Sequence, residues 1–536
     1  MILAQYTIRS KQDYIFKTNR VLEIIGASEN IAKVWDVLFE EADKCSIKYK
    51  RVNDKDFNVN NIKQEFQNKT LNLVELFCGG GNETLLFDSD IIEGDNGNTV
   101  DENSSFIKLN QAFSYRLITE FSGMIPMVSY VKYTGNYSED YKLLMNETDR
   151  KKNIMEPTWD MFTVPFAMMD RSTFQPYSKV KIINGNKVRM SDESANKYAI
   201  GQTLRNNNAD IRLFDEMVTR KGKESLLAVV HADGNNMGAK IMGMLKEEAD
   251  YDKAVTLMRE FTIATEKCFE DNGGKALEKC QRDLEASYKK LINEGKLKKS
   301  SLAFRRVIGS GDDVTFICNA RFVMDYVKAY LDSVQNYKSK WSYSSCAGVC
   351  IFHSHYPLSR AYAIAEQACD DFAKSKVHIV GNDGKPVEVE QGWVDFHFIH
   401  SGIGGDLEEI RRSQGTDRCI ARPWLVTFDK EDAKANSATY KYSDLLKLKA
   451  VIEKKRNEKG KEDSVNGTRV SRTSLKTVGS AYERSESAAR KELISLYGHN
   501  PGLKEDVEKI YKDEGIFLKA LYDFAEVYDL WYTEVK

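Results

Sequence analysis

Residues 305–318 constrain the fold of this chain more than any other stretch. Their sequence is RRVIGSGDDVTFIC, in which two apolar runs rich in β-branched residues flank a glycine-containing turn. This pattern predicts a β-hairpin with Asp312 and Asp313 at its tip. Adjacent carboxylates repel each other unless a positive charge lies beside them. The tip therefore indicates a divalent cation, and an ordinary solvated turn is the alternative interpretation.

A second acidic position favours the cation. The apolar run 226–232 predicts a buried strand, Asp233 follows it, and residues 239–245 have helical character. A strand that ends in an acid and runs through Gly and Asn into a helix offers a carboxylate for metal and backbone N–H groups for phosphate. The pattern predicts a two-metal phosphoryl-transfer site that holds Mg²⁺ or Mn²⁺. The predicted metal ligands are Asp233, Gly234, Asp312 and Asp313, and the three aspartates are the predicted catalytic residues.

Three motifs together resemble a known family. They are DGNNMG at 233–238, GSGDD at 309–313, and Tyr356-Pro357-Leu358 before a helix that ends at Lys374. These motifs are similar to the second palm domain of the large polymerase-cyclase subunit of type III CRISPR effector complexes. The resemblance implies a ferredoxin-like palm related to GGDEF cyclases, with a Gly-Gly-Asp-Asp hairpin. Ser310 stands where the first of those glycines usually lies, and Asp313 in place of Glu argues against a diguanylate cyclase.

The N-terminal region repeats this architecture without acids at the tip. Its pattern predicts a β-α-β-β-α-β order, which is the ferredoxin-like arrangement. Asn82 occupies the hairpin position where a metal-binding aspartate would be needed, and residues 7–9 supply no carboxylate, so we expect no catalytic magnesium here. The predicted elements are a strand at 2–8, a helix at 14–42, a hairpin at 71–87, a helix at 105–121 and a strand at 126–133.

The resemblance extends to the nucleotide contacts. It implies an inactive first palm that holds a second nucleotide opposite the active one, and a lysine at the end of the helix after Tyr356 that meets the triphosphate. A tight turn is the alternative role for the three glycines 79–81, and an interaction with the helix dipole is the alternative for the lysines. The predicted nucleotide-binding residues are Asn235, Asn236, Ser310, Gly311, Lys374, Lys376, Gly79, Gly80 and Gly81.

The predicted fold class is α+β, with two ferredoxin-like palm domains, a connector and a C-terminal helical domain. The length of 536 residues requires several domains. We expect a degenerate first palm at 1–138, a connector at 139–225, a catalytic second palm at 226–402 and a helical domain at 403–536. Residues 456–473 are polar enough to form a mobile loop.

Composition excludes some classes of protein. The net charge of −2 does not indicate nucleic-acid binding by the molecule as a whole. No apolar stretch approaches the roughly 18 residues that span a bilayer, and charges near the N-terminus argue against a signal peptide. We expect a cytoplasmic protein without membrane contact. The nine cysteines lack CxxC pairs and histidines at zinc-ligand spacing, which predicts reduced thiols and no structural zinc.

The proposed reaction is attack of a ribose 3′ hydroxyl on the α-phosphate of a second nucleotide. The resemblance implies ATP as substrate, cyclic oligoadenylate as an antiviral second messenger, and other CRISPR effector subunits with guide or target RNA as partners. The family's nuclease carries an adjacent His-Asp pair, which this sequence lacks, so we expect no DNA cleavage. Two alternatives remain: a catalytically silent scaffold that binds RNA in an effector complex, and a stand-alone cyclase regulated by a small ligand.

Overall fold

The structure is a computed structural model. It describes residues 1–52, 62–79, 81–94, 97–154, 168–183, 185–207, 214–219, 224–246, 251–380, 386–400, 405–429, 438–453 and 470–532. Two large sheets, each covered by helices, and a group of C-terminal helices make an α+β architecture. The predicted fold class is confirmed.

The N-terminal half is built on a five-stranded sheet with the strand order β2-β3-β4-β1-β7. Its strands β1, β3, β4 and β7 give the spatial order of a ferredoxin-like palm, in which the first strand lies between the third and the fourth. The strands are β1 (Ile2–Arg9), β2 (Tyr49–Lys50), β3 (Leu73–Gly79), β4 (Asn82–Phe87), a separate hairpin of β5 (Ile91–Gly94) and β6 (Gly97–Val100), and β7 (Ile125–Lys132).

Helices cover both faces of this sheet, which explains why β1 is apolar almost without alternation. Ala4, Tyr6 and Ile8 point into one core cluster, and Leu3 points into another on the opposite face. A strand buried on both faces loses the polar positions of a half-exposed strand. The helices of this half are α1 (Lys11–Phe16), α2 (Val21–Lys44), α3 (Ile62–Gln67) and α4 (Ser105–Glu120).

A connector leads from the first palm to the second. Its hairpin forms a separate two-stranded sheet, in which Ile183 pairs with Asn186 at the turn. The elements are α5 (Tyr137–Ile154), β8 (Lys179–Ile183), β9 (Asn186–Met190), α6 (Asp192–Asn207) and α7 (Phe214–Met217).

The second palm is built on a six-stranded sheet with the order β11-β12-β10-β13-β16-β17. Its first four strands repeat the ferredoxin-like order of the first palm, and β16 extends the sheet by pairing parallel to β13. The strands are β10 (Leu226–Gly234), β11 (Phe304–Ser310), β12 (Asp313–Asn319), β13 (Ser345–His353), a separate hairpin of β14 (His378–Val380) and β15 (Pro386–Glu388), β16 (Gln391–Phe398) and β17 (Trp424–Phe428).

Helices and two π-helical segments surround this sheet. The π-helical segments, Lys267–Asn272 and Ala368–Ala373, each continue an α-helix toward the hairpin end of the palm. The α-helices are α8 (Met237–Lys246), α9 (Tyr251–Glu266), α10 (Gly273–Ser287), α11 (Lys289–Asn293), α12 (Val323–Gln335), α13 (Leu358–Gln367) and α14 (Leu407–Gln414).

The C-terminal part is helical and shares its core with the second palm. Trp424 of β17 and Leu518 of the last α-helix lie in the same core cluster as Val230 of β10. β17 lies inside the predicted helical domain 403–536 but pairs with β16 of the palm. The domain boundaries stay predictions. The helices are α15 (Tyr442–Glu453), α16 (Arg472–Arg484), α17 (Glu486–His499), α18 (Leu503–Glu508) and α19 (Glu514–Val527), followed by a π-helical segment (Tyr528–Tyr532).

The two palms pack face to face. Their apolar residues form one core cluster, which includes Leu38 of α2 and Val229 of β10. The rings of Phe16 and Tyr362 stack across the contact with centroids 4.2 Å apart. The Ser28 hydroxyl donates to the Val307 carbonyl oxygen and so ties α2 to the outer strand of the second palm. This contact places the two hairpin tips on either side of one cavity.

Three predictions from composition concern the whole chain. All nine cysteines are unpaired, as expected for reduced thiols. None of the helices in the described part of the chain combines the length and hydrophobicity that a bilayer crossing requires. Most of the predicted mobile loop, residues 456–469, lies outside the described residues.

Candidate active site

The three predicted acids lie together at one end of the second palm sheet. β10 runs antiparallel to β12, and their last pair is Ala232 with Val314. One further step brings Asp233 alongside Asp313 at the start of β12. Asp312 lies beside the end of β10, because a Cβ atom added to Gly234 would stand 2.8 Å from the Cβ of Asp312. Glycine at 234 thus allows the strand end and the hairpin tip to touch.

Burial makes these carboxylates strong candidates for a cation site. Burial raises the pKa of Asp312 to about 7, and the neighbouring Asp233 adds to the rise. The pKa of Asp313 is also raised by burial, and His231 partly offsets this. A raised pKa at clustered acids is typical of functional sites, where negative charges lie close together without enough positive charge to balance them.

Lys374 supplies one of the positive charges at this cluster. Its ammonium group forms an ion pair with the Asp233 carboxylate and lies 3.4 Å from Asp370. Burial disfavours the lysine charge, but Asp233 outweighs that cost and raises the pKa of Lys374 above its usual value. The structure therefore brings Lys374 into the site as predicted, whereas Lys376 is exposed and lines neither of the two cavities beside these acids.

Asp313 retains a buried oxygen that no hydrogen bond satisfies. Its Oδ1 lies 3.5 Å from Nδ1 of the buried His231, too far for a hydrogen bond, and it accepts none from other groups. Three carboxylates with such an orphaned oxygen form an all-oxygen donor set, which suits hard cations such as Mg²⁺ and Mn²⁺. The residues present fit the two-ion site that the sequence predicts.

A fourth acid, which the sequence analysis missed, holds the hairpin tip. Glu270 lies in the π-helical segment Lys267–Asn272 and accepts a hydrogen bond of 2.9 Å from the backbone N–H of Gly311. Gly311 has a φ of 68°, a left-handed conformation that favours glycine. Burial raises the pKa of Glu270. Ser310 pairs with Asp313 at the base of the turn, and its side chain lies outside the described part of the chain.

A polar cavity of about 370 Å³ opens beside Asp233, Asp312 and Lys374. Asn236 lines it with a φ of 59°, and both polar atoms of its side-chain amide are buried without a hydrogen-bond partner. Asn235 also borders this cavity, but its amide donates to Ser344 and to the carbonyl of Gln391, each at 2.8 Å. Asn236 therefore offers its side chain to a ligand, whereas the amide nitrogen of Asn235 anchors the loop.

A second cavity, of about 320 Å³, lies between the palms. Gly79 and Gly81 of the first palm line it together with Gly311 and Asp312 of the second, and Trp35 of α2 forms part of its wall. The predicted glycines 79 and 81 thus face the same space as the Asp312-Asp313 hairpin. Gly80 lies outside the described residues.

The first palm adds a cation that the sequence did not reveal. A Cβ atom added to Gly81, which has a φ of 73°, would lie 2.4 Å from Nζ of Lys11. Burial lowers the pKa of Lys11, and the carboxylates of Asp313, Asp312 and Asp233 oppose that shift. Lys11 therefore extends from the first palm toward the acids of the second.

The registers of the two hairpins show what the first palm lacks. Thr7 pairs with Asn82, and Gly79 pairs with Asn82 across the turn, as Ser310 pairs with Asp313 in the second palm. By this correspondence Thr7, Gly81 and Asn82 occupy the positions of Asp233, Asp312 and Asp313. None of these three residues can supply a carboxylate.

Comparison with known proteins bears on the second palm. Residues 226–378 match the model of a family described as Cas10/Cmr2, second palm domain. This segment is similar to a Cas10/Cmr2 second palm. The resemblance to the large subunit of type III CRISPR effector complexes is thereby confirmed on the residues that carry the predicted acids. The match includes the strand of Asp233, the Asp312-Asp313 hairpin and Lys374.

Solved structures resemble the whole chain at low identity. A Csm1–Csm4 cassette in complex with cA4 has 12% identity and a TM-score of 0.45, with 98% of this chain and 69% of that chain covered. A type III-B Cmr-beta complex in the apo state has 11% identity and a TM-score of 0.44, with 93% and 77% covered. Csm1 of T. onnurineus has 12% identity and a TM-score of 0.41, with 98% and 69% covered. No curated protein matches the chain.

Proposed function

We propose that the chain is a metal-dependent nucleotidyltransferase that joins nucleoside triphosphates by 3′–5′ phosphodiester bonds. One observation carries the proposal. Asp233, Asp312 and Asp313 lie together beside two cavities, of which one is lined by Asp233 and Asp312 and the other by Asp312, and one oxygen of Asp313 is buried and unsatisfied. The match of this segment to a Cas10/Cmr2 second palm supports the assignment.

The three aspartates would hold two Mg²⁺ or Mn²⁺ ions, with Gly234 alongside them. When bound, such ions lower the pKa of an attacking hydroxyl and neutralise charge on a triphosphate, so a dedicated protein base is not required. The chain's own contribution is to fix the acids. Glu270 holds the hairpin tip through Gly311, and the absence of a side chain at Gly234 keeps Asp312 close to Asp233.

The two cavities beside the acids would hold different nucleotides. One would take the triphosphate of the first nucleotide, and the other would take the nucleotide that supplies the ribose hydroxyl. The polar cavity lies beside Lys374 and Asn236, whose ammonium and unsatisfied amide suit phosphate oxygens. The inter-palm cavity borders Asp312 on one side and Gly79 and Gly81 on the other, which leaves room for a second nucleotide. Two nucleotides arranged in this way would present a ribose 3′ hydroxyl to an α-phosphate.

The proposal includes ATP as the substrate, cyclic oligoadenylate as the product and an antiviral role in the cytoplasm, because the chain resembles type III effector subunits. Other effector subunits and guide or target RNA are the proposed partners. The direct test is incubation of the purified chain with Mg²⁺ or Mn²⁺ and each of the common ribonucleoside triphosphates, with products resolved by mass.

Cyclic or linear oligoadenylates are the expected products. The reaction is run alone and with the co-purified subunits and target RNA, which separates a stand-alone cyclase from an RNA-activated one. Binding of a non-hydrolysable ATP analogue without product under every condition would contradict the enzyme and indicate the silent scaffold.

A further inference from the structure

The first palm contains a buried polar cluster that the proposed transfer reaction does not use. It consists of Glu75 and Cys78 of β3 and Glu83 of β4. Each residue offers one possible metal-ligand atom, and these three atoms lie within 4.8 Å of one another. Glu75 is 1% exposed and Glu83 is 0% exposed. Two buried carboxylates thus lie beside a partly buried thiol.

A β-bulge brings the three side chains to the same face of the sheet. Glu75 pairs with Leu85, and the register then shifts, so that Phe77 pairs with Thr84 and Cys78 with Glu83. Without the extra residue, strict alternation would turn Cys78 to the face opposite Glu75. Because of the bulge, Cys78 joins the two glutamates on the face that packs against α2.

Most of the carboxylate oxygens in this cluster have no partner outside it. Oε2 of Glu75 accepts from the backbone N–H of Val52 at 2.6 Å and lies 3.4 Å from Nε of Arg51. Oε1 of Glu75 and both oxygens of Glu83 are buried and have no hydrogen-bond partner outside the cluster, within which Glu83 lies in hydrogen-bond reach of Glu75 and Cys78. Burial and the neighbouring Glu75 raise the pKa of Glu83 well above its usual range. One guanidinium cannot balance two buried carboxylates and a nearby thiol.

The fold itself does not require these residues. The second palm contains the same bulge, between Arg306 and Ile308, and its register aligns the two hairpins residue by residue. Arg306, Gly309 and Val314 stand there at the positions of Glu75, Cys78 and Glu83. The second palm therefore folds with no donor cluster at this place, so the first palm carries a feature of its own.

We propose that Glu75, Cys78 and Glu83 bind a Zn²⁺ ion. Mg²⁺ and Ca²⁺ take oxygen ligands, whereas Zn²⁺ accepts thiolate and carboxylate together in a tetrahedral set. Two carboxylates and a thiolate carry three negative charges, which a divalent ion and Arg51 would balance. Cys78 borders the inter-palm cavity, so water or a nucleotide group there can supply the fourth ligand.

The sequence analysis predicted no zinc because it searched for cysteines and histidines at close spacing. Here two of the three ligands are carboxylates, and the third reaches them only through the bulge. The site would fix the base of the Gly79–Gly81 turn, since both strands of that hairpin hold the ion. This role is independent of phosphoryl transfer, so the two proposals can fail separately.

The test measures the metal itself in the full chain. The protein is purified without a polyhistidine tag, its zinc content is determined, and the zinc is then exchanged for Co²⁺. We expect about one zinc per chain and a near-ultraviolet thiolate-to-cobalt charge-transfer band. Cys78→Ser should lose both the zinc and the band. Cys45→Ser, which removes another thiol of the same palm, is the matched control and should keep both.

A second variant keeps the test decisive if Cys78→Ser folds poorly. Glu83→Gln preserves the shape of the side chain but removes its charge. If the cluster binds zinc, this variant loses most of the metal and unfolds at a lower temperature than the zinc-loaded protein. Wild-type protein without the cobalt band, together with a Glu83→Gln variant that unfolds at a higher temperature, would overturn the proposal. Such a result would identify the cluster as a protonated carboxyl pair.

Discussion

Two of the three clustered carboxylates, Asp312 and Asp313, lie in an environment that opposes their charge. Asp312 shows this most clearly, because burial and the charge of Asp233 raise its pKa to about 7. The folded protein therefore binds a proton at Asp312 more tightly than the unfolded chain does. Asp312 therefore contributes to the free energy of unfolding through its bound proton. This contribution is fully present below the ordinary pKa of 3.8 and is lost as the pH rises through about 7.

The first prediction concerns the stability of the metal-free protein. Asp312→Asn should raise its Tm at about pH 8, where the wild-type carboxylate is charged, and leave it nearly unchanged at about pH 4. We expect a rise of about 1 °C for each kcal/mol of stability gained, because the entropy of unfolding scales with the length of the chain. Thermal unfolding at both pH values measures it. Asp371→Asn, at an exposed acid nearby, is the control, and equal shifts at the two pH values would refute the account.

The second prediction concerns Lys374, whose ammonium group occupies one oxygen of Asp233. Lys374→Met should have opposite effects on two ligands. It should tighten Mn²⁺ binding in the absence of nucleotide several-fold, because a competing cation is gone, and weaken ATP binding about tenfold, because a phosphate partner is gone. Calorimetry measures both, and Lys376→Met should change neither. Loss of affinity for both ligands would show that Lys374 only supports the fold.

At the residue scale, the sequence revealed the acids and Lys374 but not two other charged neighbours. Asp233, Asp312 and Asp313 could be predicted because a strand end and a hairpin tip are local patterns. Lys11 and Glu270 could not, since each reaches the site through packing between distant elements. The sequence also does not distinguish the adjacent residues Asn235 and Asn236. Only the structure shows that the side-chain amide of Asn235 donates to Ser344.

At the scale of elements, the junction between β10 and the β11–β12 hairpin controls the geometry of the site. A Cβ atom at Gly234 would stand 2.8 Å from Asp312 and 3.0 Å from Met237 and Phe269. These are closer than normal contacts, so a side chain there would push the hairpin tip away from Asp233.

We predict that Gly234→Ala lowers the catalytic rate at least tenfold and destabilises the protein by about 1–3 kcal/mol. The matched control is Gly243→Ala in α8, where an added Cβ atom meets nothing within 4 Å. That substitution should stabilise the helix by roughly 0.5–1 kcal/mol and leave activity intact. Product formation and chemical denaturation measure the two effects, and full activity of Gly234→Ala would contradict the proposed contact.

The order of elements was largely predictable, and the exceptions have a physical cause. Both ferredoxin-like palms and the long helices follow from local periodicity. The sequence analysis did not predict β16 and β17, because β16 pairs parallel with β13 after a crossover, and parallel pairing leaves no local hairpin pattern. The π-helical segment Ala368–Ala373, which continues α13 and leads to Lys374, could likewise not be predicted from the sequence.

At the scale of the whole molecule, the two palms form one unit around a shared cavity. The first palm would serve as half of the nucleotide site even though it lacks acids. Filling the cavity from the first palm should therefore stop the reaction while the acids of the second palm remain in place.

Ala32 of α2 lines the inter-palm cavity and is exposed to it. We predict that Ala32→Trp lowers oligonucleotide formation at least tenfold, because its ring would occupy the space for one nucleotide, yet leaves Mn²⁺ binding unchanged. Lys33→Trp, the neighbouring exposed position that pairs with Glu29, is the control and should stay active. Unimpaired product formation by Ala32→Trp would mean that the cavity holds no nucleotide.

The most direct test of the central claim is the rate at which the chain converts ATP to oligoadenylates with and without the hairpin acids. Wild-type protein and the Asp312→Asn/Asp313→Asn variant are assayed with Mg²⁺ or Mn²⁺ under the same activating conditions. We predict that the variant folds but loses at least about a hundredfold in rate, because its donor set for the cations is gone. Product formation by the variant at the wild-type rate would contradict the assignment of the second palm as the catalytic site.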